Sequence, residues 1–186
     1  MYFKKIIGNK CFLSPMDIND AEKITEWLND LEITLNLNLY SKNVNNENEI
    51  EILKNVSKDH YYSIIDKNKN EIIGCCSFKS IDHLNQTAEI GIYIGNKNYW
   101  NKGYGSEALT LLLDYGFKAL NLHNVLLNAF EYNIGAIKCY KKVGFNIIGK
   151  RREALKRERK THNIIYMDIL EKEFYENNKI LKEIRK

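Results

Sequence analysis

One strand-turn-helix segment in the middle of the chain constrains the fold more than any other feature. The alternating run AEIGIYIG at residues 88–95 predicts a β-strand, and EALTLLLDYGFKAL at residues 107–120 predicts a helix. The stretch YWNKGYGSEA between them carries Gly103 and Gly105. The first N–H groups of a helix have no intrahelical partners, and glycine lets a ligand approach the main chain closely. The segment therefore predicts either an anion-binding turn or a plain structural one.

The donors of such an anion site would be the main-chain amides of residues 102–106, with the Ser106 hydroxyl and the Lys102 ammonium beside them. Two phosphate-binding motifs do not fit these residues. A Walker loop requires GxxxxGK[ST], and the dinucleotide fingerprint requires a third glycine after GYG, which this chain lacks. A glycine pair alone leaves the choice between phosphate and plain turn open.

Hydrophobic patterning divides the rest of the chain into strands and helices. Ser14, Pro15 and Asp17 predict the start of the first helix, with serine as its N-cap and proline at its first position. The predicted strands are 3–7, 10–14, 61–66, 71–81, 86–95, 123–131, 145–153 and 161–170, and the predicted helices are 15–29, 47–57, 104–119, 134–142 and one amphipathic helix over 171–186. This order predicts one α/β domain over residues 1–186, with a central sheet and helices on its faces.

Composition excludes several classes of protein. The 28 Lys and Arg against 24 Asp and Glu leave a net charge of +4, too small to indicate nucleic-acid binding by itself. No apolar run is long enough to span a membrane, and the N-terminus does not resemble a signal peptide. The four cysteines match no metal-ligand spacing and are read as reduced thiols of a cytoplasmic protein. No metal site is expected.

Three motifs in order resemble the GNAT superfamily of acyl-CoA N-acyltransferases. They are AEIGIYIG, YWNKGYGSEAL and NAFEYNIGAIKCYKKVGF, which together span residues 88–145. The similarity is closest to the branch that includes ribosomal-protein N-terminal acetyltransferases and bacterial spermidine acetyltransferases. Trp100 stands where the superfamily loop carries Gln or Arg, whereas Gly103 and Gly105 match it. The N-terminal third matches in layout more than in residues.

The resemblance implies a mixed, mostly antiparallel sheet whose two central strands splay apart to admit acetyl-CoA. The pantetheine arm would pair with the strand at residues 87–95, and the diphosphate would lie on the turn at residues 100–106. A main-chain N–H of this strand would polarise the thioester carbonyl. The cofactor-binding residues that the resemblance implies are Ile92, Tyr93, Ile94, Trp100, Asn101, Lys102, Gly103, Tyr104, Gly105, Ser106, Asn133 and Tyr140.

The implied chemistry is direct acetyl transfer to a primary amine, which needs a base for the ammonium proton and an acid for the departing thiolate. Tyr140 matches the family tyrosine beside the sulfur and is assigned as the acid, although a core aromatic remains the alternative. Glu89 is assigned as base or water-holder, with a salt-bridged strand residue as the alternative. Weaker candidates are Glu131, Tyr132, His123 and His83.

The acceptor side is expected in the stretch WLNDLEITLNLNLY, where carboxylates pair with a cationic amine and aromatics stack on it. The candidate residues are Trp27, Asp30, Glu32 and Tyr40, and an ordinary helix end with solvated charges is the alternative. Polyamine, antibiotic amine, free amino acid and protein N-terminus all remain open as acceptors, and so does a homodimer. An alternative function is acyl-CoA sensing without turnover. Another is association with RNA or ribosomes through the basic run at residues 150–160, for which a solvated turn is the alternative interpretation.

Overall fold

The computed structural model describes residues 1–56 and 60–185 of the chain. Its strands are β1 (Ile6–Ile7), β2 (Cys11–Pro15), β3 (Tyr61–Asp66), β4 (Ile72–Asp82), β5 (Thr87–Ile94), β6 (Asn124–Phe130), β7 (Asn146–Arg157) and β8 (Lys160–Leu170). Its helices are α1 (Ala21–Leu28), α2 (Leu31–Thr34), α3 (Asn46–Val56), α4 (Tyr104–Ala119), α5 (Ile134–Val143), α6 (Glu171–Asn177) and α7 (Lys179–Ile184). Short 3₁₀ turns lie at Ile18–Asp20 and Lys97–Tyr99. Two predicted helix ends, at residue 57 and at residue 186, lie outside the described residues.

The strands of the described chain form one sheet in the order β1-β2-β3-β4-β5-β6-β8-β7. The pairs β1–β2, β2–β3, β3–β4, β6–β8 and β7–β8 are antiparallel, whereas β5 and β6 are parallel. Parallel neighbours need a crossover connection, and α4 lies in the segment that joins β5 to β6. The prediction of an α/β fold around one mixed, mostly antiparallel sheet is confirmed.

The pairing of β5 with β6 is short. Its Cα partners run only from Thr87 and Asn124 to Glu89 and Leu126. On its other side β6 keeps pairing with β8 as far as Phe130. The parallel pairing of β5 with β6 therefore covers three residue pairs and ends at Glu89 and Leu126.

The chain forms two compact units. The first comprises Met1–Ser77 and Ile92–Leu112, and the second comprises Phe78–Gly91 and the chain from Leu113 onward. β2 is buried on both faces, so it reads as the continuous apolar run CFL rather than as an alternating pattern. Completely buried side chains of the first unit include Phe12, Leu13, Ile64 and Ile65, and those of the second include Val125, Val143, Met167, Ile169 and Phe174.

The predicted start of the first helix is wrong by several residues. Ser14 and Pro15 belong to β2, where they pair with Ser63 and Tyr62 of β3. Proline at the last position of a strand costs little because the ladder needs no further donor there. The first cap is Asp17, whose side chain accepts the N–H of Asn19 in the 3₁₀ turn before α1.

The C-terminal segment also differs from its prediction of a single helix. Asn178 interrupts it and separates α6 from α7. The Asn178 side chain accepts the N–H of Leu181 at 2.8 Å and donates to the carbonyl of Val143 at 2.8 Å. The buried Asn178 amide satisfies the Leu181 N–H and the Val143 carbonyl, so it stabilises the interruption between α6 and α7. The apolar periodicity of the sequence does not indicate this interruption.

The basic run at residues 150–160 is mostly strand rather than turn. β7 continues to Arg157, and the reversal into β8 is made at Glu158 and Arg159, which both have positive φ. None of the described helices is long and apolar enough to cross a membrane.

Candidate active site

The turn before α4 has the backbone of an anion-binding helix start. Asn101 and Gly103 have left-handed backbone, with φ of 58° and 84°. The Gly103 carbonyl accepts the N–H of Glu107 at 3.0 Å, which makes Gly103 the N-cap of α4. Among the described residues, no acceptor faces the N–H groups of residues 103–106. These four donors at the positive end of a 16-residue helix fit a diphosphate.

Aromatic side chains hold this turn in place. The Trp100 indole N–H donates to the carbonyl of Ile94 at 2.8 Å, which ties the turn to the end of β5. The Tyr104 hydroxyl donates to Asp66 at 2.6 Å, and its ring packs edge-on against Tyr99 at 4.9 Å. The side chains of Trp100 and Tyr104 thus bond to other parts of the protein. A ligand at this turn would meet the main chain of these two residues.

Two lysines surround the turn with positive charge. The Lys10 ammonium donates to the carbonyl of Lys102 at 2.8 Å and lies 5.9 Å from the centre of the Tyr104 ring. A Cβ at Gly103 would lie 3.3 Å from the Lys10 nitrogen. Lys102 is exposed on the same turn. Both cations favour the binding of an anion at the α4 N-terminus.

The carboxylate in the first turn of α4 does not oppose an anion there. Glu107 is only 5% exposed, and one oxygen accepts the N–H groups of Lys10 and Cys11 at 2.6 and 3.1 Å. These bonds direct its negative charge toward the start of β2. The Ser106 hydroxyl donates to the Gly103 carbonyl at 2.9 Å, so it closes the first turn of the helix.

The end of β5 presents the residues expected along the pantetheine arm. Ile92, Tyr93 and Ile94 are partly buried. The Tyr93 hydroxyl donates to the Cys75 sulfur at 3.4 Å, and its ring meets Trp27 edge-on at 6.5 Å. Tyr93 therefore directs its side chain into the first unit.

Glu89 lies at the point where β5 and β6 part. Its carboxylate accepts a hydrogen bond from the side-chain amide of Asn128 at 3.1 Å. No lysine or arginine among the described residues forms an ion pair with Glu89. A carboxylate that is held by a neutral amide keeps a lone pair for a proton, which is what a base requires.

Helix α5 positions the two residues of the third motif. Asn133 caps the helix, because its side chain accepts the N–H of Ala136 at 3.0 Å. Tyr140 lies two turns later and is 8% exposed, and its hydroxyl has no hydrogen-bond partner among the described residues. Burial, with a smaller effect of Cys139, raises the pKa of the Tyr140 phenol well above its usual value. Gly144, with φ of 119°, ends the helix.

The weaker candidates for a base have other roles in the structure. Glu131 accepts both the main-chain and the side-chain N–H of Asn163, at 2.8 and 2.6 Å, and these bonds lower its pKa. Tyr132 packs edge-on against His162 at 4.8 Å. The N–H of His123 donates to the Gln86 carbonyl, and His83 lies in the exposed turn after β4.

The residues expected to bind the acceptor are not equally accessible. Trp27 is 4% exposed and covers Gly95, where an added Cβ would lie 2.1 Å from its ring. Asp30 and Glu32 both form ion pairs with Lys97, at 2.7 and 2.5 Å. The hydrogen bond from Lys97 lowers the pKa of Asp30. Tyr40 is half-buried. Their role toward an acceptor stays a prediction.

Sequence reasoning missed Lys10 and Asp66, which are 92 and 38 residues from their partners in the turn. It also missed Glu49, a buried carboxyl of α3. A signal for Glu49 was present, since Leu53 follows it at the i+4 spacing that marks one helix face.

Comparison with known proteins agrees with this geometry. Residues 10–146 match the family described as acetyltransferase (GNAT) domain. The chain is 30% identical over 167 residues to the uncharacterized N-acetyltransferase p20 of Bacillus licheniformis, covering 87% of this chain and 93% of that one. It is 31% identical over 109 residues to the spermidine N(1)-acetyltransferase of Escherichia coli K12, covering 59% and 58%.

A solved structure shows the same fold. The spermidine N-acetyltransferase of Vibrio cholerae, crystallised with CoA and spermine, superposes with a TM-score of 0.79 at 22% identity and covers 89% of this chain and 98% of that one. The family match includes most of the chain, with the turn before α4 and helix α5 inside it. The chain therefore belongs to the GNAT family and is an N-acetyltransferase that uses acetyl-CoA as its acetyl donor.

Proposed function

We propose that the protein acetylates a primary amine, with a polyamine, another small-molecule amine or a protein N-terminus as acceptor. Acetyl-CoA supplies the acetyl group as a thioester. The observation that carries the proposal is the helix start at residues 103–106, where four N–H groups without acceptors stand beside Lys10 and Lys102. This arrangement supports binding of the cofactor diphosphate by main-chain amides, since Gly103 adds no side chain that would obstruct it.

The acid is proposed to be Tyr140. As the amine nitrogen bonds to the acetyl carbon, the carbon–sulfur bond breaks and the sulfur takes the electron pair, so a proton must reach it. The raised pKa keeps the Tyr140 phenol protonated at neutral pH, and no described residue accepts its hydrogen bond. Both properties support a proton donor. Asn133, as the cap of the same helix, is proposed to bind the cofactor arm.

The base is proposed to be Glu89. An alkylamine is protonated at neutral pH and becomes a nucleophile only when it loses a proton. The Glu89 carboxylate accepts one hydrogen bond from Asn128 and forms no ion pair among the described residues, which supports this role, directly or through a water. The competing carboxylate Glu131 accepts two bonds from Asn163, and its lowered pKa makes it a weaker base.

The proposed compartment is the cytoplasm. All four cysteines are free in the structure, and three of them are buried. Free thiols are typical of a reducing compartment. A homodimer is proposed by similarity to the family, and sedimentation of the purified protein tests it.

The experiment that tests the function is thermal unfolding with and without acetyl-CoA, followed by a thiol-release assay on a panel of amines. At about 100 times the dissociation constant, ligand binding adds about 2.7 kcal/mol to the free energy of unfolding. For a chain of this size that corresponds to a rise of about 5–10 °C in Tm. ATP and NAD serve as controls. The proposal fails if acetyl-CoA gives no more stabilisation than these nucleotides, or if no primary amine in the panel releases thiol.

A further inference from the structure

The first turn of α3 buries a glutamate whose carboxyl has no partner among the described residues. Glu49 is 4% exposed, whereas Glu47 and Glu51 on the same helix are exposed. No hydrogen bond or ion pair to the Glu49 side chain occurs among the described residues. Burial raises the pKa of this carboxyl. Since a charge is rarely buried without a counter-charge, the missing partner needs an explanation.

Two neutral polar groups of the same core, the Tyr93 hydroxyl and the Cys75 thiol, lie within electrostatic reach of Glu49. The Tyr93 hydroxyl and the Cys75 thiol bond each other at 3.4 Å, and the charge of Glu49 adds to the raised pKa of both groups. A second carboxyl, Asp20, is 7% exposed and also acts on Cys75. We name these four residues the acidic cluster: Asp20, Glu49, Cys75 and Tyr93. All of them belong to the first unit.

The Asp20 carboxylate has hydrogen-bond donors within the protein, whereas none occurs for Glu49 among the described residues. The Tyr2 hydroxyl donates to Asp20 at 2.6 Å, and Ser63 donates at 3.4 Å. The N-terminal ammonium, which pairs with Asp17 at 3.1 Å, also attracts the Asp20 carboxylate and acts to lower its pKa. No cation of the described chain forms an ion pair with Glu49. Glu49 is therefore the member of the cluster that is left to bind a group from outside.

The chemistry of the cluster favours an organic ammonium over a metal ion. The described residues contain no group of three or more side chains that could hold a metal. The cluster is bordered by apolar and aromatic side chains, with the Trp27 ring 6.5 Å from that of Tyr93 and with Leu28 and Leu53 in the same core. An alkylammonium offers a charge for the carboxylate, N–H donors for its oxygens and methylene groups for the apolar border.

We propose that Glu49 binds an ammonium group of the acceptor other than the one that is acetylated, and that the acceptors are consequently small alkylamines with at least two amino groups. This inference rests on the proposed function. It distinguishes among the acceptors left open above, because a protein N-terminus has a single α-amino group, which is the one acetylated, whereas a polyamine keeps a second alkylammonium that is cationic at neutral pH. Polyamines are the simplest members of the favoured class.

The test separates amine binding from catalysis. Spermidine is titrated by calorimetry into the wild-type protein, Glu49→Gln and the exposed control Glu51→Gln, with and without coenzyme A. We expect wild type and Glu51→Gln to bind alike and Glu49→Gln to bind at least about tenfold more weakly, the effect of losing a hydrogen bond to a charged group. The inference is overturned if wild type does not bind spermidine in either condition, or if Glu49→Gln binds it as wild type does.

Thiol release from acetyl-CoA, measured on the same variants, tells the two proposals apart. Binding that depends on Glu49 without any thiol release would support the ammonium site and remove the proposed reaction. Thiol release with an unchanged KM for spermidine in Glu49→Gln would keep the reaction and overturn the site. Thermal unfolding checks the fold: without amine, Glu49→Gln should unfold at or above the wild-type temperature, because the amide needs no counter-charge. The charge-preserving variant Glu49→Asp should recover part of the affinity.

Discussion

Replacement of Gly103 by alanine tests the anion site through its backbone. Gly103 has φ of 84°, a conformation that costs an L-residue with a Cβ about 1–2 kcal/mol. The new Cβ would lie 3.3 Å from the Lys10 nitrogen and 3.9 Å from the Ser106 hydroxyl oxygen. The flexible end of Lys10 can move away, so the backbone strain is the main cost. At about 2–4 °C per kcal/mol for a chain of this length, Tm should fall by about 2–8 °C.

The same change should weaken cofactor binding by more than it weakens the fold. A methyl group at Gly103 stands where the main chain meets the proposed diphosphate, and losing one hydrogen bond to a charged group costs about 1.5–3 kcal/mol. The Kd of acetyl-CoA, measured by calorimetry, should rise about 10-fold to 100-fold. S-acetylpantetheine lacks the diphosphate, so its binding should be unaffected by the substitution.

Gly149→Ala is the matched control. A Cβ at Gly149 meets no atom within 4 Å, and its φ lies outside the left-handed region. Its Tm and its Kd for acetyl-CoA should stay close to the wild-type values. If Gly103→Ala binds acetyl-CoA as tightly as Gly149→Ala does, or loses S-acetylpantetheine to the same degree as acetyl-CoA, the diphosphate does not contact this turn and the reasoning is refuted.

Three further predictions concern the acid, the C-terminal helices and the anchor of the turn. Tyr140→Phe should lower kcat about 100-fold or more with an unchanged Tm, because the hydroxyl has no partner to lose in the described chain; an unchanged kcat would remove Tyr140 as the acid. Asn178→Ala should cost about 1–3 kcal/mol in urea unfolding, because a buried cap and a bond to Val143 are lost together; a loss below about 0.5 kcal/mol would contradict this. Hydrogen bonds from Tyr104 and from the N–H groups of residues 68 and 69 outweigh the burial of Asp66, so the pKa of this carboxyl is lowered. The contribution of Asp66 to stability is therefore present above about pH 4 and is lost as pH falls through its folded-state pKa. In Asp66→Asn, the acid-induced fall in Tm should be smaller than in wild type, and an identical pH profile would show that this carboxylate does not anchor the turn.

The parts of the fold that were predicted from the sequence are those with a local cause. The predicted helix 104–119 has the observed bounds of α4, because its apolar periodicity and its glycine turn are both local. Gly144 ends α5 as predicted, since a left-handed C-cap favours glycine. The start of α1 was missed because Ser14 and Pro15 carry a good capping sequence, yet their pairing with β3 is the stronger interaction.

The site shows the same division between local and distant causes. The turn at residues 100–106 can be predicted from the sequence because its glycines and the helix that follows are contiguous. Lys10 and Asp66 reach the turn only because β2 and β3 pair in register, and no local pattern specifies that register. Glu49 stands in the polar stretch NNENEIE, and only its i+4 spacing to Leu53 indicates that it lies on the buried face of α3.

The carboxylates near the expected acceptor region differ in what they can contribute to recognition. Asp30, which is partly exposed, and Glu32, which is exposed, are already paired with Lys97, so an arriving amine would exchange one ion pair for another with little net gain. Glu49 is only 4% exposed and has no ion pair to give up among the described residues. The free energy that its burial costs the folded protein is recovered when a cation binds, which makes a buried unpaired carboxyl a stronger determinant of acceptor choice than two exposed paired ones.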